Sequence, residues 1–140
     1  MKRAIWLIVF TLMVAFLSAC TNNADGSTEA NENNMVFAIT NHADFDFYGV
    51  EISTDQTTTG ISNADGSSIQ YGDTLTNEFK DQDDMDLDLE GEAIFEFVLI
   101  GEEEQRVSLN EITIDLAANK EYSFEITGDS IDEASINRVD

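Results

Sequence analysis

The chain is apolar at its start and alternates between apolar and polar residues over most of its remaining length. Residues 4–16 are apolar except for Thr11, whereas from Met35 onward short runs place apolar side chains at every second position. A period of two is typical of strands that bury one face. The pattern therefore predicts an apolar N-terminal segment followed by a domain of β-strands.

The alternating runs predict seven or eight short strands between residues 35 and 140. They lie at 35–40, 45–52, 85–89, 93–100, 107–109, 112–116 and 122–126, with weaker candidates at 69–71 and 75–79. The most apolar run, 93–100, has Glu96 as its only charge and is expected to be a central strand. Changes of parity predict a bulge beside Gly49 and a break at Asn110–Glu111.

Two segments have less regular patterns. Residues 54–60 are rich in polar and small side chains, which predicts a turn. The last segment, 130–140, fits either a short helix that opens with Ser130 and Glu133 or a final edge strand.

Many short strands without a long helical pattern indicate an all-β fold, namely an antiparallel β-sandwich of immunoglobulin-like architecture. The run Phe37-Ala-Ile-Thr-Asn41, followed by Tyr48-Gly-Val-Glu-Ile52, resembles small extracytoplasmic β-sandwich domains of uncharacterised bacterial lipoproteins. This resemblance implies the fold and no particular chemistry.

Residues 1–19 have the three parts of a secretory signal. Lys2 and Arg3 precede an apolar stretch of about 13 residues, and the small residues Ser18 and Ala19 close it. A membrane-spanning helix needs about 20 residues. A cleaved signal peptide is therefore expected, with an uncleaved anchor as the alternative.

The end of this segment, Leu17-Ser18-Ala19-Cys20, resembles the lipobox of bacterial lipoproteins. The resemblance implies that Cys20 is acylated and becomes the N-terminus of a protein held on the extracytoplasmic face of the cell membrane. An ordinary secretory signal with a chance cysteine is the alternative. Because Cys20 is the only cysteine, an internal disulfide and a cysteine-based zinc site are excluded.

The segment after Cys20 predicts a flexible polar linker. Residues 21–34 are rich in asparagine and acids and contain no apolar residue larger than alanine, so they have little surface to bury. The expected organisation is a signal peptide at 1–19, the lipidated cysteine and linker at 20–34, and an acidic β-sandwich domain at 35–140.

The net charge of the chain excludes one class of binding partner. Six basic and 29 acidic side chains give a net charge of −23. Since residues 1–19 hold two of the basic residues and no acid, the mature chain has four basic and 29 acidic side chains, a net charge of −25. Nucleic acid is excluded as a partner because its phosphates require clustered Lys and Arg. Such acidity predicts a surface adapted to salt.

The densest acidic run suggests a possible metal site. Its candidate ligands for weakly bound Ca²⁺ are Asp81, Asp83, Asp84, Asp86 and Asp88. An EF-hand loop that started at Asp84 would place Leu89 where glycine is needed and Phe95 where a carboxylate is needed. The favoured interpretation is a solvated strand face that resists edge pairing, and no other cofactor is expected.

Catalysis has little support in the sequence. His42 is the single histidine and falls in a predicted surface turn, without a nucleophile motif around it. The sequence therefore predicts a monomeric, non-catalytic binding or interaction module of the cell envelope, whose ligand or partner protein is unknown. A calcium-dependent adhesion or sensing domain that uses Asp81–Glu92 is the alternative, and a hydrolase around His42 is a more distant one.

Overall fold

A computed structural model describes residues 28–81 and 87–140. The predicted signal peptide and Cys20 lie outside the described residues, as do Asp83, Asp84 and Asp86. The described strands are β1 (Asn34–Asn41), β2 (Gly49–Ser53), β3 (Thr58–Ile61), β4 (Thr74–Lys80), β5 (Glu92–Ile100), β6 (Arg106–Ser108), β7 (Ile112–Asp115), β8 (Lys120–Thr127) and β9 (Ser135–Arg138). Two 3-10 turns lie at Glu102–Glu104 and Ile131–Glu133. In the described ranges, no helix is long and apolar enough to span a membrane.

The strands form two sheets, as the sequence predicts for a sandwich. The first sheet has the order β4-β1-β8-β9, and the second has β3-β2-β5 with both β6 and β7 along the free side of β5. All pairs are antiparallel except β1 with β8, which run parallel. The all-β sandwich is confirmed, and its first sheet is mixed rather than wholly antiparallel.

The predicted central strand and the predicted parity break are both present. β5 pairs with β2 on one side and with β6 and β7 on the other. Leu99 opposes Val107 in β6, whereas Ala93 opposes Ile114 in β7, so the register shifts by one residue between the two segments. This shift is a bulge around Asn110 and divides one edge strand into two.

Alternating apolar residues from both sheets meet in one core around Phe37. Its ring centroid lies 4.8 Å from that of Phe124 in the same sheet and 4.9 Å from that of Phe95 in the opposite sheet. Phe79 and Tyr122 complete the cluster. Each fully buried phenylalanine contributes roughly 1.5–3 kcal/mol through the hydrophobic effect. These contacts hold the two sheets face to face.

Three predicted local features differ in the structure. The segment predicted as a turn at 54–60 contains β3, and the alternating residues 87–90 are not a strand, although Leu87 and Leu89 are buried. The parity change beside Gly49 marks the start of β2 and not a bulge, because Phe47 forms a single bridge with Ile69. The last segment contains both a 3-10 turn and the edge strand β9.

The last part of the predicted linker contacts the domain. Asn34 begins β1 and is 1% exposed, and its side chain accepts from the Asn31 N–H and donates to Glu78. The N–H of Asn119 donates to the carbonyls of both Asn31 and Asn34. Residues 31–34 therefore belong to the folded domain, which makes the intervening segment shorter than its composition predicts.

Candidate ligand-binding cleft

The two ends of the sandwich are named here by where the N-terminal chain joins the domain. We call the end where β1 begins the proximal end, because the N-terminal chain joins the domain there at Asn34. Asn119 contacts Asn34, and the N–H of Leu116 donates to the carbonyl of Gly91, so β5 also begins at this end. β1 finishes at the opposite end, which we call the distal end.

An open cleft of about 620 Å³ lies at the distal end, on the outer face of the second sheet. The side chains and main chain that line it come from β2, β3, the end of β5 and the start of β6. They are Tyr48, Gly49, Val50, Glu51, Gly60, Ile61, Ser62, Ile100, Glu104 and Arg106. Strand register alone brings these distant parts of the sequence together.

Two positions on the floor of the cleft are glycines. Gly49 opposes Ile100, and Gly60 opposes Glu51 in the neighbouring strand. A Cβ atom at Gly49 would lie 3.0 Å from the carbonyl oxygen of Ile61, so the close approach of the chains favours glycine there. A Cβ atom at Gly60 would meet no atom within 4 Å, which shows that the space above this residue is open.

An ion pair crosses the cleft. The Arg106 Nη2 atom donates to Glu51 Oε1 at 2.7 Å, with the two side chains 54% and 31% exposed. Glu51 belongs to β2 and Arg106 to β6, so the pair bridges the outer face of β5 between them. Because both groups are partly exposed, the pair contributes little to stability.

The rim of the cleft combines an aromatic ring with a constrained turn. Tyr48 is 38% exposed. On the other side, the tip of the β5–β6 hairpin places Glu103 and Glu104 in succession at φ of 54° and 62°. This left-handed backbone is costly for residues with side chains. The hairpin tip thus places Glu104 at the edge of the cleft.

A second, smaller depression of about 500 Å³ lies on the same outer face, toward the proximal end. Carboxylates of Asp55, Glu92, Glu96 and Glu111 surround it. Ile94 lies between them and is 55% exposed. The depression is rich in negative charge and has no basic side chain among its lining residues.

The predicted calcium ligands are only partly described. Asp81 follows β4, and Asp88 is exposed between the buried Leu87 and Leu89. Within 28–81 and 87–140, no group of three or more His, Cys, Asp or Glu side chains is placed to hold a metal ion. The calcium site stays a prediction, because Asp83, Asp84 and Asp86 are outside these ranges.

His42 lies outside the cleft, on the first sheet. Its Nδ1 atom is 3.0 Å from Glu125 Oε2, and its ring centroid is 5.6 Å from that of the exposed Tyr71. The His42 side chain is 42% exposed. The surface position predicted for this histidine agrees with the structure, and its ring is hydrogen-bonded to Glu125.

Sequence reasoning did not find the cleft. Tyr48 and Glu51 were assigned only to a strand, and Arg106 was not singled out. The one available signal is that Gly49 and Gly60 interrupt the ends of two neighbouring strands, where glycine often permits a close approach. Without the register between β2 and β3, this signal does not identify a shared site.

Comparisons with known proteins identify neither a family nor a function for the chain. No protein-family model matches the chain, and no curated protein matches it. The solved structures similar to it include the NMR structure of a protein from Eubacterium rectale, with a TM-score of 0.48, 8% identity, and coverage of 80% of this chain and 94% of that one. Another is a chain in the structure of a disulfide-locked mutant of Intermedilysin with human CD59, with a TM-score of 0.39 and 11% identity. That match covers 76% of this chain and 24% of the other.

Proposed function

We propose that the protein is a lipid-anchored extracytoplasmic lipoprotein whose domain is a non-catalytic binding module of the cell envelope. The observation that supports this proposal best is the relation between the two ends of the sandwich. The N-terminal chain joins the proximal end at Asn34, and the cleft opens at the distal end. A domain tethered in this way presents its cleft away from the membrane.

The anchor is the acylated Cys20 of the lipobox-like sequence Leu17-Ser18-Ala19-Cys20. Acyl chains contribute about 0.8 kcal/mol for each buried CH₂ group, so two or three chains hold a protein on a bilayer durably. Between Cys20 and Thr28, where the described chain begins, eight residues extend at most ~29 Å. The domain therefore stays close to the lipid surface.

Binding, rather than catalysis, fits the groups in the cleft. Tyr48 offers an aromatic surface, and Arg106 and Glu51 offer hydrogen-bond donors and acceptors. The imidazole of His42 is engaged with Glu125 on the first sheet and does not line the cleft. The cleft residues are of the kinds that orient a ligand.

The acidic surface fits a location outside the cell in a saline medium. Exposed carboxylates lie on every side of the domain, including Asp44, Asp88, Glu111 and Asp132. At physiological salt, charges separated by less than about 8 Å repel one another. Such a surface keeps the domain soluble at high ionic strength and repels anionic lipid headgroups.

Metabolic labelling with palmitate in the native host tests the anchor. We expect labelled protein in the membrane fraction for the unmodified chain and for the control variant Thr21→Ala. We expect no label for Cys20→Ala, because the acyl acceptor is lost. Label of equal intensity in Cys20→Ala would contradict the proposed anchor.

A further inference from the structure

We propose that the distal cleft binds an uncharged saccharide, with a sugar ring against Tyr48 and two neighbouring hydroxyls at the Glu51–Arg106 pair. This inference rests on the binding role proposed above and names the ligand class. Its basis is that the cleft contains an aromatic side, a paired donor and acceptor, and open space above Gly60.

The ion pair matches the chemistry of a vicinal diol. An ionised glutamate only accepts hydrogen bonds and arginine only donates them, whereas a hydroxyl does both. Arg106 Nη2 and Glu51 Oε1 are 2.7 Å apart, which is a spacing that two adjacent hydroxyls can follow. One hydroxyl would donate to Glu51 while its neighbour accepts from Arg106. A ligand group that only donates, or only accepts, would satisfy one of these partners and not the other.

The apolar parts of the cleft match the other face of a sugar ring. Ile100 lines the cleft together with Tyr48, and these side chains suit the C–H groups of a pyranose. Ile61 opposes the buried Val50 and packs against the core, so it contributes its main chain to the cleft. Gly60 lets a sugar ring approach the main chain of β3. The open space above Gly60 is the part of the floor that such a ring would occupy.

Charge selects an uncharged ligand over an anionic one. Arg106 is the only basic residue that lines the cleft, and its charge is matched by that of Glu51. Glu104 adds a further negative charge at the rim. The surrounding domain is strongly acidic, so its field repels polyanions. An acidic wall polymer is therefore disfavoured, and a neutral glycan meets no such barrier.

Calorimetric titration of the full-length acylated protein in detergent micelles tests the proposal. The probes are the tetramers of glucose and of N-acetylglucosamine, with the tetramer of glucosamine as a cationic comparison of similar shape. We expect at least one neutral tetramer to bind with a Kd that changes little between low and molar NaCl. Binding of the glucosamine tetramer alone, lost at high salt, would show attraction to the acidic surface and would overturn the saccharide assignment.

Variants locate the binding. Tyr48→Ala and Gly60→Val are expected to weaken binding by about tenfold, because one removes the aromatic surface and the other fills the floor. Gly60→Val introduces no contact within the domain at its Cβ, and valine favours strands, so this variant is expected to fold. The matched control is Tyr71→Ala, which removes a tyrosine that is 69% exposed and lies outside the cleft.

The outcomes separate this inference from the proposed anchor. If no neutral tetramer binds, or if Tyr48→Ala and Gly60→Val bind as well as Tyr71→Ala, the saccharide site is overturned. Palmitate labelling at Cys20 is measured independently of any ligand. A labelled protein that fails to bind saccharide would contradict only the ligand class, whereas an unlabelled protein would contradict the anchor.

Discussion

The side chain of Asn110 is paired with the main chain of Ile136 in the way that one strand pairs with another. The Ile136 N–H donates to Asn110 Oδ1 at 3.0 Å, and Asn110 Nδ2 donates to the Ile136 carbonyl at 2.8 Å. Asn110 lies at the bulge between β6 and β7, and Ile136 lies in the edge strand β9 of the other sheet. The amide thus joins the edges of the two sheets and satisfies two main-chain groups that β8 does not reach.

Replacing this amide is expected to loosen the junction between the sheets. Asn110→Ala removes both hydrogen bonds and should lower the free energy of unfolding by about 1–2 kcal/mol, as measured by urea denaturation. Asn137→Ala, at the exposed neighbouring position of β9, should stay within about 0.5 kcal/mol of the unmodified protein. Equal stability of the two variants would contradict a role for Asn110 as the link.

Asn41 has a comparable role at the distal end of β1. The residue is fully buried; its Nδ2 atom donates to the carbonyls of Phe45 and Ile69, and its Oδ1 atom accepts from the Ala43 N–H. Asn41→Ala would leave these main-chain groups without partners, so we expect a loss of about 2–3 kcal/mol in thermal or urea unfolding. Asn33→Ala, at an exposed position, is the control. A loss below about 1 kcal/mol for Asn41→Ala would contradict this account.

Tyr122 makes the stability of the domain depend on pH in the alkaline range. Its buried hydroxyl donates to the Asp115 carbonyl at 2.6 Å, and burial raises the pKa of Tyr122 above its usual value of 10.0. Folding favours the neutral hydroxyl. The contribution of Tyr122 to the free energy of unfolding is therefore complete below pH 10 and is lost as the pH rises through the higher pKa of the folded state.

Absorbance titration of tyrosinate and urea unfolding at several pH values test this dependence. We expect Tyr122→Phe to lose about 1 kcal/mol near neutral pH and to show a weaker decline of stability above pH 10. Tyr71→Phe, at an exposed tyrosine, should keep the decline. If Tyr122→Phe and the unmodified protein declined equally, the assignment to Tyr122 would be wrong.

The acidic surface predicts that salt stabilises the domain. Added NaCl screens repulsion among the carboxylates, so the apparent Tm should rise from low to molar NaCl. A flat or falling Tm would contradict the proposed adaptation to salt. Calcium tests the alternative function: a shift at millimolar Ca²⁺ that exceeds the shift with Mg²⁺ at equal ionic strength would support a specific site in Asp81–Glu92.

The sequence predicts the core of this fold better than its edges. Phe37, Phe95 and Phe124 stand at alternating positions of apolar runs, so their burial follows from a period of two. β3 was missed because Thr58–Ile61 has no alternation of large apolar residues and lies at a sheet edge. The alternation at residues 87–90 predicts a strand that the structure does not contain. Leu87 and Leu89 are buried there, but their segment is not a strand.

The cleft could not be predicted for a different reason. Tyr48, Gly60 and Arg106 are far apart in sequence, and they meet only because β2 pairs with β3 on one side and with β5 on the other. No residue among them belongs to a recognisable motif. The lipobox-like sequence Leu17-Ser18-Ala19-Cys20, by contrast, is contiguous, so the resemblance can be seen without a fold.

In the proposed arrangement, the anchor and the cleft lie at opposite ends of the domain. Acylation would block the thiol of Cys20, so Ser62→Cys at the cleft and Asp88→Cys at the proximal end would each carry one free thiol for a fluorescent label. The eight residues of β1 separate the two ends by roughly 26 Å.

Energy transfer to an acceptor on lipid headgroups, measured with the acylated protein in vesicles, compares the heights of these two labels. We predict stronger transfer from the label at position 88 than from the label at position 62. Equal transfer from both positions, or stronger transfer from position 62, would contradict an anchored domain that presents its cleft away from the membrane.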